Sequence, residues 1–289
     1  YMVKPFTPDE LLARIKMILR RTVRSLDASP LTHLPGNTSI MEELEQCIHN
    51  KTNFAVGYAD LDKFKATIKL SKEATLLWQK VLKTSTAINA PLSFFDGTIH
   101  MGPIVVLRGT QIAKDYYTEL LAELKENVAN NIGFLPQAKT RIFWEGMPIW
   151  GKLRMMSDLF IANGAAVVAS TYCSSWVFDK FDENNPWEST ARAYTEIFIN
   201  RSDKAKEKIL AAWLKEYKID GIVYHDTKTC FNNSNAKFGM PQRLQNQTGI
   251  RSLIIEGDLC DLRFFSEGQS ITKIETFLEQ LEDAKVLSE

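Results

Sequence analysis

One stretch narrows the possible folds more than any other: Arg141 to Trp176, RIFWEGMPIWGKLRMMSDLFIANGAAVVASTYCSSW. Ile142, Phe143 and Trp144 make a short apolar run, which Glu145-Gly146-Met147-Pro148 breaks. Leu153, Met156, Phe160 and Ile161 then recur at helical spacing, and Asn163-Gly164 stands where a left-handed residue would stop the helix. Ala165 to Ala169 form a second apolar run of small and β-branched residues, the composition of a strand covered on both faces. A polar loop carrying Cys173 follows. The order is strand, loop, helix, strand, loop.

The alternation continues downstream. Lys204–Tyr217 is expected as a helix with Ile209, Leu210, Trp213 and Leu214 on one face. Gly221–Tyr224 is expected as a strand and His225–Cys230 as the loop after it. Met240–Gln247 reads as a helix with Pro241 in its first turn, and Ser252–Ile255 as a strand followed by the loop Glu256–Asp258. Gln269–Leu281 closes the chain as a helix. Four strands alternating with helices predict an α/β fold. It would be a doubly wound parallel sheet of about four strands over residues 139–285, after a mixed α/β and helical N-terminal part. Open sheets of this kind bind ligands beyond the carboxyl ends of their strands. Glu145, Pro148, Cys173, His225, Cys230 and Asp258 should all gather there.

The chain has 289 residues, room for two domains, and its 35 Lys and Arg balance 35 Asp and Glu. That balance argues against a nucleic-acid surface, which needs excess cations. No apolar run reaches the length of a membrane span, so no membrane partner is expected. The first 20 residues are amphipathic and charged, unlike a secretory leader. Four widely spaced cysteines point to a reducing, cytoplasmic setting. A start at Tyr1 rather than Met suggests a fragment.

The N-terminal part carries two resemblances. Tyr1, Lys4 and Pro5, followed by a helix capped at Thr7, make residues 1–22 similar to the end of a response-regulator receiver domain. Within residues 23–66, Pro35-Gly36-Asn37, a helix over Ser39–Ile48 and the Asp60-Leu61-Asp62 turn resemble the beginning of a GGDEF (diguanylate cyclase) domain. That resemblance implies Asp60 as a magnesium ligand. The signature Gly-Gly-Asp/Glu-Glu-Phe loop is absent, so cyclase activity is not expected. The resemblance ends near residues 66–67, and residues 67–138 read as a helical segment, with helices over Thr67–Leu82 and Tyr117–Val128. Met101–Leu107 could be helix or strand.

Residues 67–289 resemble the 2-hydroxyacyl-CoA dehydratase / benzoyl-CoA reductase family. The resemblance rests on Arg141–Trp150, Val167–Cys173, Asp220–His225 with Cys230 after it, and Ile255–Asp258 followed by Arg263, Ser266, Gln269 and Phe277. It implies the second of two α/β domains, 139–289, in a subunit that holds a 4Fe-4S cluster. It further implies a second subunit, an ATP-dependent activator protein and a CoA thioester substrate. Cys230 matches the thiolate ligand from this domain. Cys173 is a weaker metal candidate on the same edge, and Cys47 and Cys260 read as small hydrophobic residues. His225 and Glu145 are the catalytic candidates, each also readable as an end-of-strand structural residue. Trp144, Pro148 and Trp150 are the substrate-binding candidates, with Trp176 and Trp187 as further pocket walls. Asp258 and Arg263 are expected to pair. With no Gly-rich phosphate loop, CoA would rest on helix ends and scattered basic residues. A different class remains open: a signalling or docking protein of receiver and GGDEF origin, in which Cys230 is dispensable.

Overall fold

The structure, a computed structural model, describes residues 61–287 together with Glu42, Glu45, Gln46, His49 and Asn50. Tyr1, Lys4, Cys47 and Asp60, with nearly all of the receiver-like and GGDEF-like segments, lie outside the described residues. From Leu61 onward the chain is one compact unit.

Four strands, β1 (Thr140–Glu145), β2 (Ala165–Ser170), β3 (Gly221–Thr227) and β4 (Arg251–Gly257), pair in the order β2-β1-β3-β4. All three pairings are parallel. After β1 the chain goes through α5 (Leu153–Ala162) to β2 on one side. It then passes through α6 (Thr171–Ser174), α7 (Pro186–Thr195) and α8 (Asp203–Glu216) to β3 on the other side of β1. β1 and β3 therefore flank a topological switch point, where the two crossovers diverge. α9 (Met240–Thr248) leads to β4, and α10 (Glu267–Val286) closes the unit.

Strand alternation sorts the core into two layers. Ile142, Trp144, Val167, Val223 and Ile255 pack against Met156 and Phe160 of α5 and Ile274, Phe277 and Leu278 of α10. Phe143, Ala166, Val168, Ile222 and Tyr224 face Leu210 and Leu214 of α8 and Met240 and Leu244 of α9. The sheet is thus doubly wound, as its apolar strands require.

The N-terminal helices, α1 (Leu61–Lys83), α2 (Phe94–His100), α3 (Gly102–Val106) and α4 (Gln111–Ala129), cover the α5–α10 face. Trp78 is fully buried there, and its indole N–H donates to the Cys173 carbonyl at 3.1 Å. Arg141 fastens this layer at the other end of the sheet, its guanidinium donating to the carbonyls of Ser85, Ala87, Ile88 and Tyr217. α1 runs unbroken across residues 66–67, where the sequence resemblance changes.

The strands are longer than their apolar runs. β3 extends through His225, Asp226 and Thr227, so His225 is a strand residue rather than the start of a loop. The polar segment after β2 is not a loop but one helical turn, α6, whose start is capped by the Ser170 hydroxyl accepting from the Cys173 N–H. Met101–Leu107 resolves as helix, with Pro103 in its first turn. Gly164, at φ +68°, ends α5 as expected.

Candidate functional site

At the switch point the loop after β1 and the loop after β3 touch backbone to backbone. Gly146 has φ +98°, and a Cβ there would lie 2.9 Å from the His225 carbonyl oxygen and 3.4 Å from that of Asn233. Its N–H donates to the Thr171 hydroxyl at 2.9 Å, tying the end of β1 to α6. Only glycine meets both the backbone conformation and the contact.

Glu145 and His225 both stand at this edge but on opposite faces of the sheet. Glu145 pairs in register with Tyr224, so it shares that residue's α8–α9 face, while His225 points the other way. Glu145 is fully buried. Its Oε1 accepts from the Asn235 amide at 2.6 Å and from the Thr171 hydroxyl at 3.5 Å, and its Oε2 has no partner among the described residues. Burial pushes its pKa up to about 7, against the Asn235 bond, the charge of Lys206 and the Thr171 bond. Beyond Asn235 sits Lys206, its ammonium donating to the Asn235 carbonyl oxygen at 2.8 Å.

His225 is also fully buried, its ring 6.1 Å from the Trp144 ring. Nδ1 lies 2.6 Å from the Met147 carbonyl, which can only accept, so Nδ1 carries the proton and Nε2 the lone pair. Nε2 has no partner among the described residues and packs over Gly257, where a Cβ would come within 2.8 Å of it. Burial pulls the pKa below the ordinary histidine value, more than the Met147 bond, Asp258 and Asp226 raise it, and the ring is neutral at pH 7.

The three described cysteines have different fates. Cys230 is half-buried in the loop beyond β3. The residue before it is held by Asp258: the Thr229 N–H and hydroxyl both donate to Oδ2, while the Cys260 and Asp261 N–H groups donate to Oδ1. Burial alone would raise the Asp258 pKa, but these bonds, the Thr229 hydroxyl first, hold it at about 2. Asp258 therefore locks the Cys230 loop to the Cys260 loop. It does not pair with Arg263, which instead grips Asp261. Cys173 is buried beneath α2, close enough that a Cβ on Gly97 would touch its sulfur at 3.5 Å. Burial pushes its thiol up to about 12, which keeps it protonated at neutral pH. Cys260 is exposed rather than packed as a small hydrophobe. No group of three His, Cys, Asp or Glu side chains among the described residues is placed to hold a metal ion. Asp258→Asn is expected to lose about 1–2 kcal/mol, because one side of the amide must face donors with a donor. Urea unfolding would show it, with faster labelling of Cys230 in a Cys260→Ser background.

The tryptophans divide as their burial dictates. Trp144 is core, stacked on Phe94 at 5.2 Å, and its indole N–H donates to the Met147 carbonyl. Pro148 is buried beside it. Trp150 is 37% exposed and lines an open groove of about 880 Å³ with Phe95, Ile99, Lys152 and Arg154. Trp176 stacks on Phe178, and Trp187, largely exposed, packs on Phe64, both away from that groove.

Sequence reasoning missed Thr171, Lys206, Tyr224 and Asn235. Lys206 did leave a signal: it stands four and eight residues before Leu210 and Leu214, on the apolar face of α8. Asn235 and Thr171 left none, since isolated polar residues outside strands are ordinary.

Fold and edge together define a class: a parallel α/β domain with a half-buried cysteine in the loop beyond a central strand. Residues 24–281 match the sequence model of the family described as 2-hydroxyglutaryl-CoA dehydratase, D-component, and the chain belongs to that family. The match crosses residues 66–67 and takes in most of the GGDEF-like segment. A benzoyl-CoA reductase subunit of Thauera aromatica is 27% identical over 240 residues, covering 78% of this chain and 55% of the relative. Lactoyl-CoA dehydratase subunit alpha of Anaerotignum propionicum is 26% identical over 224 residues, covering 77% and 53%. The (R)-2-hydroxyisocaproyl-CoA dehydratase alpha subunit of Clostridioides difficile is 28% identical over 251 residues, covering 86% and 61%. The chain thus spans little more than half the length of these curated relatives. No helix among the described residues is long and apolar enough to cross a membrane.

Proposed function

We propose that this chain contributes the second α/β domain, with its helical cover, to an iron–sulfur subunit that acts on a CoA thioester, as a 2-hydroxyacyl-CoA dehydratase or an aromatic acyl-CoA reductase. The observation that carries this reading is the placement of Cys230. It is the half-buried thiol at the switch-point edge, in a loop fixed by Asp258, while Cys173 is sealed in the core. Soft thiolates are what such a cluster needs. Cys230 fits one corner of a 4Fe-4S cluster, and the described residues supply no complete donor set, so the other corners would come from elsewhere in the subunit. When bound, the cluster supplies single electrons.

In this reading the domain works with a second subunit and an ATP-dependent activator protein, in a reducing cytoplasm. His225, neutral and with its Nε2 lone pair free, is the acid–base candidate on the Trp144 face. Trp150, at the lip of the groove, is the substrate-contact candidate. Glu145, on the far face, holds the loop after β3 through Asn235.

Anaerobic reconstitution of the chain with iron, sulfide and a small thiol to fill the open corners tests the reading. The expected result is about four irons per chain, lost in Cys230→Ser and kept in Cys173→Ser. Iron binding that is indifferent to Cys230→Ser would remove its support.

A further inference from the structure

A second, smaller cavity of about 150 Å³ opens on the α8–α9 face of the same edge. Lys206, Ser234, Asn235 and Lys237 line it, and so do Asp203 and Met240, the first residues of α8 and α9. Both helices run away from it, so the first-turn N–H groups of α8 face it together with the Met240 N–H of α9, whose next residue, Pro241, has none. Neither N-cap residue, Ser202 nor Gly239, makes a side-chain capping bond. Uncapped helix starts carry partial positive charge and free donors, the chemistry that receives anions.

The second observation is Lys206 itself. It is only 5% exposed. Of its three donors, the hydrogen bond shown goes to the neutral Asn235 carbonyl, and no carboxylate among the described residues lies within 4.0 Å of it. Beyond that amide is Glu145, whose pKa of about 7 leaves it ionised in only part of the molecules at neutral pH. A buried ammonium without a contacting counter-charge is costly unless an anion joins it. Two carboxylates oppose an anion nearby. Asp203 is engaged by Arg243 at 3.4 Å, and Asp226 lies 3.5 Å from the Lys237 ammonium.

We propose that this cavity binds a phosphate group, held by the Lys206 ammonium and the N-termini of α8 and α9. One water occupies about 30 Å³, so the space suits one phosphate and excludes a whole nucleotide. The phosphate could be inorganic or could belong to the nucleotide part of a CoA thioester; only the second source rests on the function proposed above. The Ser234 hydroxyl, on the cavity wall, donates to the carbonyls of Thr227 and Cys230. An occupied site would therefore brace the turn that carries Cys230.

Isothermal titration of the full chain with inorganic phosphate, and separately with coenzyme A, is the test, comparing the native protein with Lys206→Met. Weakening of both probes by tenfold or more supports the site and the nucleotide source. Weakening of phosphate alone supports the site and assigns it to the free anion. Equal phosphate affinity in the two proteins, or none in the native chain, overturns the proposal. If Lys206→Met does not fold, the NMR signals of the Asn235 side-chain amide and the Asp203–Lys206 backbone amides in the native chain decide. They should shift with added phosphate, and unmoved signals overturn the site. The phosphate arm is unaffected if the chain proves not to act on CoA thioesters.

Discussion

Gly146→Ala is expected to cost about 3–5 kcal/mol, the sum of a strained backbone and an overpacked contact. At φ +98° an alanine is outside even the left-handed helical well. Its Cβ would press on the His225 carbonyl oxygen at 2.9 Å, a backbone atom inside a central strand that cannot swing aside. Relief would have to come from the loop itself, which is pinned by the Gly146–Thr171 bond and by the acceptance of two donors, His225 Nδ1 and Trp144 Nε1, at the Met147 carbonyl. Urea unfolding at neutral pH measures the loss. A loss below about 1 kcal/mol would mean that the two loops do not meet as described.

Glu145→Gln is expected to unmask a rise of stability with pH that the native chain does not show in full. Glu145 has a folded pKa raised from 4.5 to about 7, so the folded state binds the extra proton and native stability falls as pH climbs through that window. The full penalty, reached above pH 7, is about 3 kcal/mol. His225 acts in the opposite sense. Its folded pKa is depressed, so its contribution is complete above 6.5 and is lost as pH drops below that value. Below pH 6.5 the two slopes oppose each other, so the native chain should respond to pH less steeply than either group alone would make it. Glu145→Gln leaves the histidine slope alone, so stability should rise with pH up to about 6.5. His225→Asn should unmask the reverse, a fall from pH 4.5 to about 7. The slope is the readout, because the new amide N–H₂ near the unpartnered Oε2 position offsets some of the absolute gain. Denaturant midpoints at half-unit steps of pH suffice, and parallel curves for all three proteins would refute the assignment.

The sheet was legible because its strands are written in uninterrupted apolar runs and its helices in repeated spacings. Gly164 and Pro241 marked a helix end and a helix start correctly for local steric reasons. What local pattern could not show was direction. Glu145 and His225 look alike in sequence, each just past an apolar run. Which face each occupies depends on the pairing of Glu145 with Tyr224, a contact between residues 79 positions apart. The expected Asp258–Arg263 pair failed for a related reason. A carboxylate surrounded by backbone N–H groups satisfies itself without a cation, and Arg263 found Asp261 two residues away. Cys173 read as an edge residue because the cover that buries it comes from helices about 75–95 positions earlier in the chain.

The opposed placement of Glu145 and His225 makes the central sheet a partition. A proton leaving one can reach the other only over the carboxyl edge of the sheet, not through it. The acidity of the carboxyl is set chiefly by its burial and then by Asn235, Lys206 and Thr171, and that of the imidazole chiefly by its burial and then by Met147, Asp258 and Asp226, with no neighbouring group in common. Either group can be retuned by substitution while the other keeps its setting.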